Sequence, residues 1–334
     1  MTQSVSTPPI VVIGSINMDL VCRTPHIPAP GQTILGSGFL TIPGGKGANQ
    51  AVAAAKLARA PRRVHMIGRV GSDDFGQRLL NGLSQHSVDT TFVTVTEAVA
   101  SGVAMIMVDR KGENSIVVAP GANAKLTPQD IDAAESLIAS AAAVVLQLEI
   151  PHETVTHAIA MCQRLGVFTI LDPAPAVAKL PRAMMGVDLF TPNQTEAQIL
   201  VGEHPAVRRP GRVRRKLAID HKQIGTELLA RGARGVVLKL GARGSVLFKR
   251  DGTISPVKPF KVKVVDTTAA GDAFAGALAV ARAEGMDLLD ALRFANAAGA
   301  ICCQSFGAQP ALPSREAVDK LLGLPPVEQS RATG

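Results

Sequence analysis

Aromatic residues are scarce, since tryptophan and tyrosine are absent from the 334 residues and only 10 are phenylalanine. Single-stranded nucleic acids stack their bases on aromatic side chains, so this composition argues against recognition of single strands or RNA. Long apolar runs are missing too, because glycine, proline or a charged residue interrupts each one well before the roughly 20 residues that cross a bilayer. The sequence therefore predicts no membrane partner.

Cysteine is also rare, with four residues (Cys22, Cys162, Cys302 and Cys303) and no CxxC pair. A bridge between the two adjacent cysteines would be strained, so neither a disulfide framework nor a zinc site is expected. The N-terminus lacks the basic start and long apolar core of a secretory signal. These features predict reduced, mostly buried cysteines and a cytoplasmic protein.

Positive charge is present in excess, but it is concentrated. The net charge is +8, and the stretch from His204 to Lys222 alone carries +6, which leaves +2 for the rest of the chain. A basic run of this kind is typical of a solvated loop. With no aromatic platforms beside it, nucleic acid is not an expected partner.

Strands and helices alternate after Thr127, where TPQD has the cap and proline of a helix start. Such alternation predicts an α/β fold with a doubly wound, mainly parallel sheet flanked by helices, here as a single domain over residues 1–334. Three strand-like segments (92–95, 103–108 and 115–119) follow one another without helices between them. They predict a small β-sheet lid drawn from about residues 15–43 and 92–119.

Several common site motifs are absent. GxxxxGK[ST] fails at Gly45–Lys46, where Leu40 and Gly47 occupy motif positions, and no GxGxxG follows the first strand. His152 and His157 flank Glu153 in a pattern like HExxH, but five positions place them about 140° apart on a helix. The sequence therefore excludes a P-loop, disfavours a conventional Rossmann dehydrogenase and excludes a zinc protease.

The segment Val264–Val280 (VVDTTAAGDAFAGALAV) carries a more specific pattern. Small residues from Thr267 to Gly271 allow a ligand to approach the backbone, and the first turn of the following helix offers free N–H groups to an anion. Asp272 could simply cap this helix. Capping leaves the small residues unexplained, whereas a carboxylate beside an anion hole is suited to phosphoryl transfer.

Nine segments together resemble the ribokinase-like, PfkB-type family of carbohydrate kinases, and they extend over nearly the whole chain. They are GSINMD (14–19), PGGKGANQAVAAA (43–55), GENSI (112–116), GAN (121–123), QLE (147–149), DPAPA (172–176), TPNQTEA (191–197), DTTAAGD (266–272) and GAQPALP (307–313).

The resemblance implies a sugar pocket and a catalytic group. The residues that match the sugar pocket are Asn17, Asp19, Gly44, Gly45, Lys46, Gly47, Ala48, Asn49, Glu149 and Asp272. Asp272 matches the general base, and Ala270 and Gly271 match the anion hole. Short polar side chains at fixed positions suit a polyhydroxylated substrate, because a site built on hydrogen bonds rejects analogues that lack a hydroxyl.

The resemblance also implies a nucleotide site and two cations. Residues matching the ATP site are Asn193, Glu196, Lys239, Leu240, Gly241, Ala242, Arg243, Gly244, Gly271, Asp272 and Asn296, with Asn193 and Glu196 near Mg²⁺. Those matching a K⁺ loop are Asp266, Thr268, Cys302, Ser305, Gly307 and Ala311. Two positions depart from the family pattern: Ala311 stands where serine is frequent, and Lys239 where threonine or a similar residue is common.

The function implied is ATP-dependent phosphorylation of D-ribose at O5 to give D-ribose 5-phosphate, with Mg²⁺ accompanying the nucleotide and K⁺ as activator. The exposed edges of the predicted lid favour a homodimer in which two lids pack together. The same chemistry on deoxyribose, another sugar or a nucleoside is an alternative. A catalytically silent sensor of sugar or nucleotide is a further alternative, although the intact Asp272 argues against it.

Overall fold

The computed structural model describes residues 7–202 and 220–325. Of the basic stretch His204–Lys222, only residues 220–222 fall within these ranges, so most of the predicted loop lies outside the described residues. Its last residues are not loop: Asp220 caps a helix that begins at His221, and the Asp220 side chain accepts the N–H groups of Lys222 and Gln223. No helix in the described ranges is long and apolar enough to span a bilayer.

The described chain contains thirteen strands and ten α-helices. The strands are β1 (Ile10–Ile13), β2 (Asn17–Arg23), β3 (Gly38–Gly44), β4 (Val64–Gly71), β5 (Val88–Thr96), β6 (Gly102–Val108), β7 (Asn114–Ala119), β8 (Ala143–Leu146), β9 (Thr169–Leu171), β10 (Leu189–Phe190), β11 (Gly235–Lys239), β12 (Ser245–Lys249) and β13 (Ile254–Val257). The helices are α1 (Lys46–Leu57), α2 (Asp74–Gln85), α3 (Pro128–Ala133), α4 (Glu135–Ser140), α5 (His152–Leu165), α6 (Gln194–Val201), α7 (His221–Ala230), α8 (Ala270–Ala283), α9 (Leu288–Cys302) and α10 (Arg315–Leu322).

The larger sheet has nine strands within the described residues, in the order β13-β12-β11-β10-β9-β8-β1-β4-β5. Neighbouring strands from β5 to β11 pair in parallel, whereas β12 and β13 add antiparallel pairs at one edge. Helices cover both faces, with α1, α8 and α9 on one side and α5, α6 and α7 on the other. This arrangement confirms the predicted doubly wound, mainly parallel α/β fold.

The central strand β1 shows why the sheet is buried. Its four residues, IVVI, are fully buried, and they alternate between the two hydrophobic cores on opposite faces of the sheet. β-branched side chains on both faces are typical of a parallel strand covered by helices on each side. β1 itself therefore contains no polar residue, and polar side chains appear after the strand ends.

A separate sheet of four strands, β3-β2-β6-β7, corresponds to the small β-sheet that the sequence predicted. The segment 92–95, which we expected in this lid, instead belongs to β5 at the edge of the larger sheet. The physical reason is the helix α2 between β4 and β5. The strand β4, the crossover helix α2 and the parallel strand β5 form one βαβ unit, which places β5 beside β4 in the larger sheet. The helix that TPQD predicts after Thr127 is interrupted, since α3 ends and α4 begins around Ala134.

Helices α1 and α8 pack closely against each other on one face of the larger sheet. A Cβ placed on Gly276 of α8 would lie 2.7 Å from the backbone oxygen of Gln50 and 2.8 Å from the Cβ of Ala53, both in α1. Such distances are shorter than van der Waals contact, so any larger residue forces the helices apart. Glycine is therefore required here by packing, although it weakens a helix.

We predict that Gly276→Ala lowers the free energy of unfolding by about 1–3 kcal/mol through overpacking. The matched control is Gly82→Ala in α2, where a Cβ would have its nearest neighbour at 3.9 Å. This control should gain up to about 1 kcal/mol from helix propensity. Urea unfolding midpoints measure both changes. Equal stabilisation of the two variants would contradict the close packing of α1 and α8.

Candidate active site

The polar residues of the site follow the carboxyl ends of neighbouring strands. Asn17 comes soon after β1, Glu149 after β8, Asp172 directly after β9, Asn193 after β10, and Lys239 ends β11. Parallel strands have their carboxyl ends at the same edge of the sheet, which is where ligands bind in open α/β folds. Residues that are distant in sequence therefore meet at one edge.

Helix α8 brings its N-terminus to this edge. Ala269, just before the helix, has the left-handed φ of 57°, and the helix then begins with Ala270 and Gly271. The first N–H groups of a helix lack intrahelical acceptors and attract anions. The N–H of Ala270 donates to the carbonyl of Thr267 at 3.3 Å, so it is partly engaged already. The adjoining N–H of Gly271 belongs to the same first turn.

Asp272 is the third residue of α8 and lies deep in the site, 5% exposed. Its Oδ2 accepts the Asn49 amide at 3.0 Å, and its Oδ1 accepts the Gln50 amide at 3.1 Å. The helix has no side-chain cap, so the simple capping interpretation of Asp272 is wrong. Both carboxylate oxygens are instead held by the start of α1, across 223 and 222 residues of sequence.

The turn into α1 explains the glycines of the PGGKGAN segment. Gly45 has a φ of +86°, and a Cβ there would lie 2.6 Å from the backbone nitrogen of Asn17. A side chain at this position would therefore be strained and would clash with the start of the lid strand β2. A Cβ added to Gly44 would lie 2.3 Å from Asp19 Oδ2, so a side chain at this position would clash with the Asp19 carboxylate.

The structure brings the predicted sugar-pocket residues together. Glu149 Oε2 accepts the Ser15 hydroxyl at 2.6 Å and the backbone N–H of Lys46 at 3.2 Å. Asn17 Oδ1 accepts the amide of Asn123 at 2.7 Å, which joins the start of β2 to the segment that follows β7. Gly47 and Ala48 complete the same turn through hydrogen bonds to Ser15.

Asn49 carries a buried polar atom without a hydrogen-bond partner in this pocket. Asn49 Oδ1 is buried and has no hydrogen-bond partner among the described residues, while its amide nitrogen holds Asp272. A buried acceptor without a donor is destabilising unless a ligand or water satisfies it. The pocket therefore offers an acceptor to a hydroxyl group next to the Asp272 carboxylate.

Burial and neighbouring charges shift the pKa values of the ionisable groups in the pocket. Burial, followed by the negative charges of Glu149 and Asp272, raises the pKa of Asp19 to about 7. Burial also raises the pKa of Asp272, although the Lys46 ammonium and the amides of Asn49 and Gln50 act in the opposite direction. Burial alone would lower the pKa of Lys46, but Asp272 and Glu149 outweigh it and raise that pKa above its ordinary value.

A cavity of about 760 Å³ extends from Asp272 along the N-terminus of α8. Most of the residues predicted to bind nucleotide line it, namely Asn193, Glu196, Lys239, Gly241, Ala242, Gly244, Gly271, Asp272 and Asn296. Lys46 lines the same cavity, so the sugar and nucleotide regions are continuous. Two predicted residues are not among the lining. The Leu240 side chain packs against the core, and Arg243 donates to the Gln194 side chain at 2.7 Å.

Asn193 and Glu196 form a reciprocal cap at the start of α6. Asn193 Oδ1 accepts the backbone N–H of Glu196 at 2.9 Å, and Glu196 Oε2 accepts the N–H of Asn193 at 2.7 Å. Burial raises the pKa of Glu196, while the positive charge of Lys239 lowers it. Both residues line the cavity, and carboxylate and amide oxygens are the metal ligands that suit Mg²⁺. The oxygen atoms of Asn193 and Glu196 are therefore of the kind that binds Mg²⁺.

Several residues of the predicted K⁺ loop form hydrogen bonds with one another. Asp266 Oδ2 accepts the N–H of Gly307 at 2.9 Å, and its Oδ1 accepts the Thr268 hydroxyl at 2.7 Å. Cys302 Sγ donates to the carbonyl of Thr268 at 3.5 Å. Ser305 is exposed, while the Ala311 methyl belongs to the hydrophobic core. The carboxylate and carbonyl oxygens fit a hard cation, and Ala311 contributes no side-chain ligand.

Sequence reasoning missed three polar residues of the site. Gln50 donates to Asp172 Oδ2 and to Asp272 Oδ1, each at 3.1 Å, and Gln147 donates to Gln50 Oε1 at 2.6 Å. Asp172 also accepts the Lys239 ammonium at 2.7 Å. All three lie in segments that the resemblance already included: PGGKGANQAVAAA, QLE and DPAPA. Their position within those segments was the available signal.

Comparison with known proteins places the chain in a family. A profile of the "pfkB family carbohydrate kinase" matches residues 8–315. Ribokinase of Bacillus subtilis is 40% identical over 313 residues, which cover 94% of this chain and 99% of that protein. Deoxyribokinase of Salmonella typhi is 36% identical over 317 residues, covering 94% and 99%. A structure of Arabidopsis thaliana ribokinase complexed with ribose and ATP superposes with a TM-score of 0.83 at 32% identity, covering 96% and 100%.

The chain therefore belongs to the pfkB family of carbohydrate kinases. It is a phosphotransferase with an alcohol group as acceptor. The resemblance inferred from the nine sequence segments is thereby confirmed, and the larger sheet with its small companion sheet is the fold shared with the ribokinase structure.

We predict that Asp19→Asn gains stability relative to the unchanged protein as the pH rises from about 4 to 7. The folded pKa of Asp19 is raised to about 7 from 3.8. Between these pH values Asp19 is ionised in the unfolded state but still protonated in the folded state. A rise in pH therefore favours the unfolded state of the unchanged protein, and the Asn variant lacks this loss of stability. The limit for one group is about 1.4 kcal/mol per pH unit.

Thermal unfolding at several pH values measures this difference. The matched control is Asp74→Asn, which removes the same charge from an exposed position at the start of α2. An Asp19→Asn difference that stayed constant between pH 4 and pH 7 would contradict the assigned environment of Asp19.

Proposed function

We propose that this protein is an ATP-dependent kinase that phosphorylates D-ribose at O5 and releases D-ribose 5-phosphate. The observation that carries this proposal is the buried Asp272 carboxylate, held by Asn49 and Gln50 at the junction of the sugar pocket with the cavity along α8. The similarity to ribokinases, over more than nine-tenths of both chains, supports ribose as the acceptor.

In this proposal Asp272 is the general base. The sugar hydroxyl gives its proton to the Asp272 carboxylate while its oxygen attacks the γ-phosphorus of ATP. The N–H groups of Ala270 and Gly271 at the start of α8 stabilise the negative charge on the transferred group. Asn49 and Gln50 donate to the carboxylate and so keep it aimed at the pocket.

The cations have defined neighbours in this proposal. Mg²⁺ entering with ATP would neutralise phosphate charge, with Asn193 and Glu196 as the nearest residues. A monovalent cation, K⁺, would be held at the loop of Asp266, Thr268, Cys302, Ser305, Gly307 and Ala311, mostly by backbone carbonyls. Its positive charge would strengthen the anion site at the N-terminus of α8.

The choice of sugar is tested by measuring ADP release with a panel of acceptors. D-ribose should give the highest kcat/KM, with 2-deoxyribose, hexoses and nucleosides below it. The similarity to a deoxyribokinase makes 2-deoxyribose the most informative competitor. Preference for another acceptor would replace ribose in the proposal, and absence of turnover with every acceptor would favour a silent sensor of sugar or nucleotide.

The proposal includes a single domain over residues 1–334, with the small sheet (β2, β3, β6 and β7) as its lid. We place this kinase in the cytoplasm. Four cysteines without a disulfide bond are consistent with a reducing compartment, and all four lie in the described residues.

We predict that Asp272→Asn lowers kcat by about 10²- to 10⁴-fold, because an amide accepts no proton from the sugar hydroxyl. The KM for ribose should stay within a few-fold, since most pocket contacts come from other residues. Initial rates over a ribose series give both constants. The matched control is Asp319→Asn, which alters another buried carboxylate, paired with Arg59 and Arg315 outside the cavity.

Near-native turnover by a folded Asp272→Asn variant would show that the base is assigned wrongly. The control should lose stability and keep its kcat. If the control lost turnover to the same extent, the effect at Asp272 would reflect general damage to the fold.

We predict that the protein is a homodimer in which the small sheets of two copies pack together. The edge strands β3 and β7 contain no charged residue, and exposed apolar side chains (Phe39, Leu40, Met105, Ile116, Val117 and Val118) cluster on the sheet. Uncharged edges and apolar faces are normally covered. Light scattering should therefore give twice 34.7 kDa, and Val117→Glu should shift the protein towards the monomer. A monomer at assay concentration would contradict this prediction.

A further inference from the structure

Lys239 ends β11 and forms an ion pair in the wall of the cavity. Its Nζ lies 2.7 Å from Asp172 Oδ1, and the two side chains are only 12% and 2% exposed. Asp172 follows β9, which is two strands away from β11 in the sheet. The pair therefore links two strand ends at the edge where the site lies.

Asp172 is in turn connected to the proposed base. Gln50 Nε2 lies 3.1 Å from Asp172 Oδ2 and 3.1 Å from Asp272 Oδ1. The Gln50 amide is oriented by Gln147, which donates to its oxygen at 2.6 Å. A continuous chain of hydrogen bonds thus runs from the Lys239 ammonium to the carboxylate of Asp272.

Lys239 also lies beside the start of α8. A Cβ added to Gly271 would be 3.4 Å from Lys239 Nζ, so the ammonium is next to the second residue of the helix. Both residues line the same cavity. An anion bound by the N–H groups of this first turn would meet the ammonium directly.

The ion pair is poorly explained by stability alone. A buried ion pair contributes little net stability, because desolvation of the two charges offsets their attraction. The ammonium has three N–H donors, and its one hydrogen bond among the described residues goes to Asp172. Burial opposes the charge of Lys239, but the carboxylates of Asp172 and Glu196 outweigh it and raise the pKa. A fixed positive charge with spare donors therefore faces the cavity.

We propose that Lys239 is a catalytic residue whose ammonium contacts the phosphoryl group during transfer, and that Asp172 and Gln50 are positioning residues that hold it. The inference rests on the proposed kinase function. It goes beyond nucleotide binding, since it assigns Lys239 to the moving phosphoryl group.

In the step concerned, the bond between the γ-phosphorus and the β,γ-bridging oxygen of ATP breaks, and its electron pair leaves with ADP. A new bond forms between the sugar oxygen and the same phosphorus, and the hydroxyl proton passes to Asp272. Lys239 transfers no proton. Its charge stabilises the equatorial oxygens of the phosphoryl group, where negative charge is spread in the transition state.

The decisive variant is the double substitution Lys239→Thr with Asp172→Asn. A single substitution would leave an uncompensated buried charge, which destabilises a protein strongly, whereas removing both charges together is often tolerated. We expect the double variant to fold and to lose about 10²- to 10³-fold in kcat, as when one preorganised donor is removed. The KM for ribose should change by less than about threefold, because this interaction is made with the phosphoryl group.

Nucleotide affinities give a readout that a structural role would not move. By calorimetry, the double variant should bind ADP within about twofold of the unchanged protein and bind the non-hydrolysable analogue AMP-PNP at least about fivefold more weakly. Equal affinities of the double variant and the unchanged protein for AMP-PNP, together with unchanged kcat, would overturn the proposal.

The matched control is Arg69→Met with Asp130→Asn. This pair has a similar separation of 2.7 Å and similar burial, with 18% and 14% exposure, but it does not line the cavity. The control should change stability without changing kcat. Failure of the unchanged protein to phosphorylate any acceptor would overturn the proposed function itself, whereas an active protein with an equally active double variant would overturn only the role of Lys239.

Discussion

The site depends on one interaction, the attachment of the Asp272 carboxylate to the first turn of α1. A buried carboxylate is costly unless hydrogen bonds and opposite charge compensate it. Here the amides of Asn49 and Gln50 supply the hydrogen bonds, and Lys46 supplies the charge. All three lie within the first five residues of α1, which begins directly after the sharp turn at Gly45. The position of α1 against α8 is therefore also the position of the base against the sugar pocket.

The charged side chains of the cavity influence one another's pKa values. Lys46 and Lys239 face Asp172, Glu196 and Asp272 in the same space. Each carboxylate raises the pKa of a lysine nearby, and each lysine opposes the effect of burial on a carboxylate. A substrate that brings several negative charges changes this balance, so binding of polyphosphate and the ionisation of the pocket are coupled.

The sequence allowed the fold to be predicted, and most residues that it assigned to the nucleotide region line one cavity. This was possible because short motifs follow strand ends, and the alternation of elements determines where those ends lie. It did not predict that Asp272 is held by Asn49 and Gln50, since such pairs depend on how two helices pack. The assignment of 92–95 to the lid was wrong for a related reason. Strand composition does not say which of two sheets a strand joins, whereas the preceding crossover helix does.

Lys239 illustrates what a motif match leaves undecided. The resemblance assigned all six residues from Lys239 to Gly244 to the nucleotide site, yet the Leu240 side chain packs against the core and Arg243 contacts Gln194 instead. Only the folded structure reveals that Lys239 is paired with Asp172, which follows a strand two places away in the sheet, and that its ammonium lies beside Gly271. A buried lysine at this position needs a carboxylate partner, here Asp172 directly after β9, and Gln50 holds that carboxylate by a hydrogen bond. Three segments of the sequence are thus constrained together by one charge, through contacts that no single segment contains.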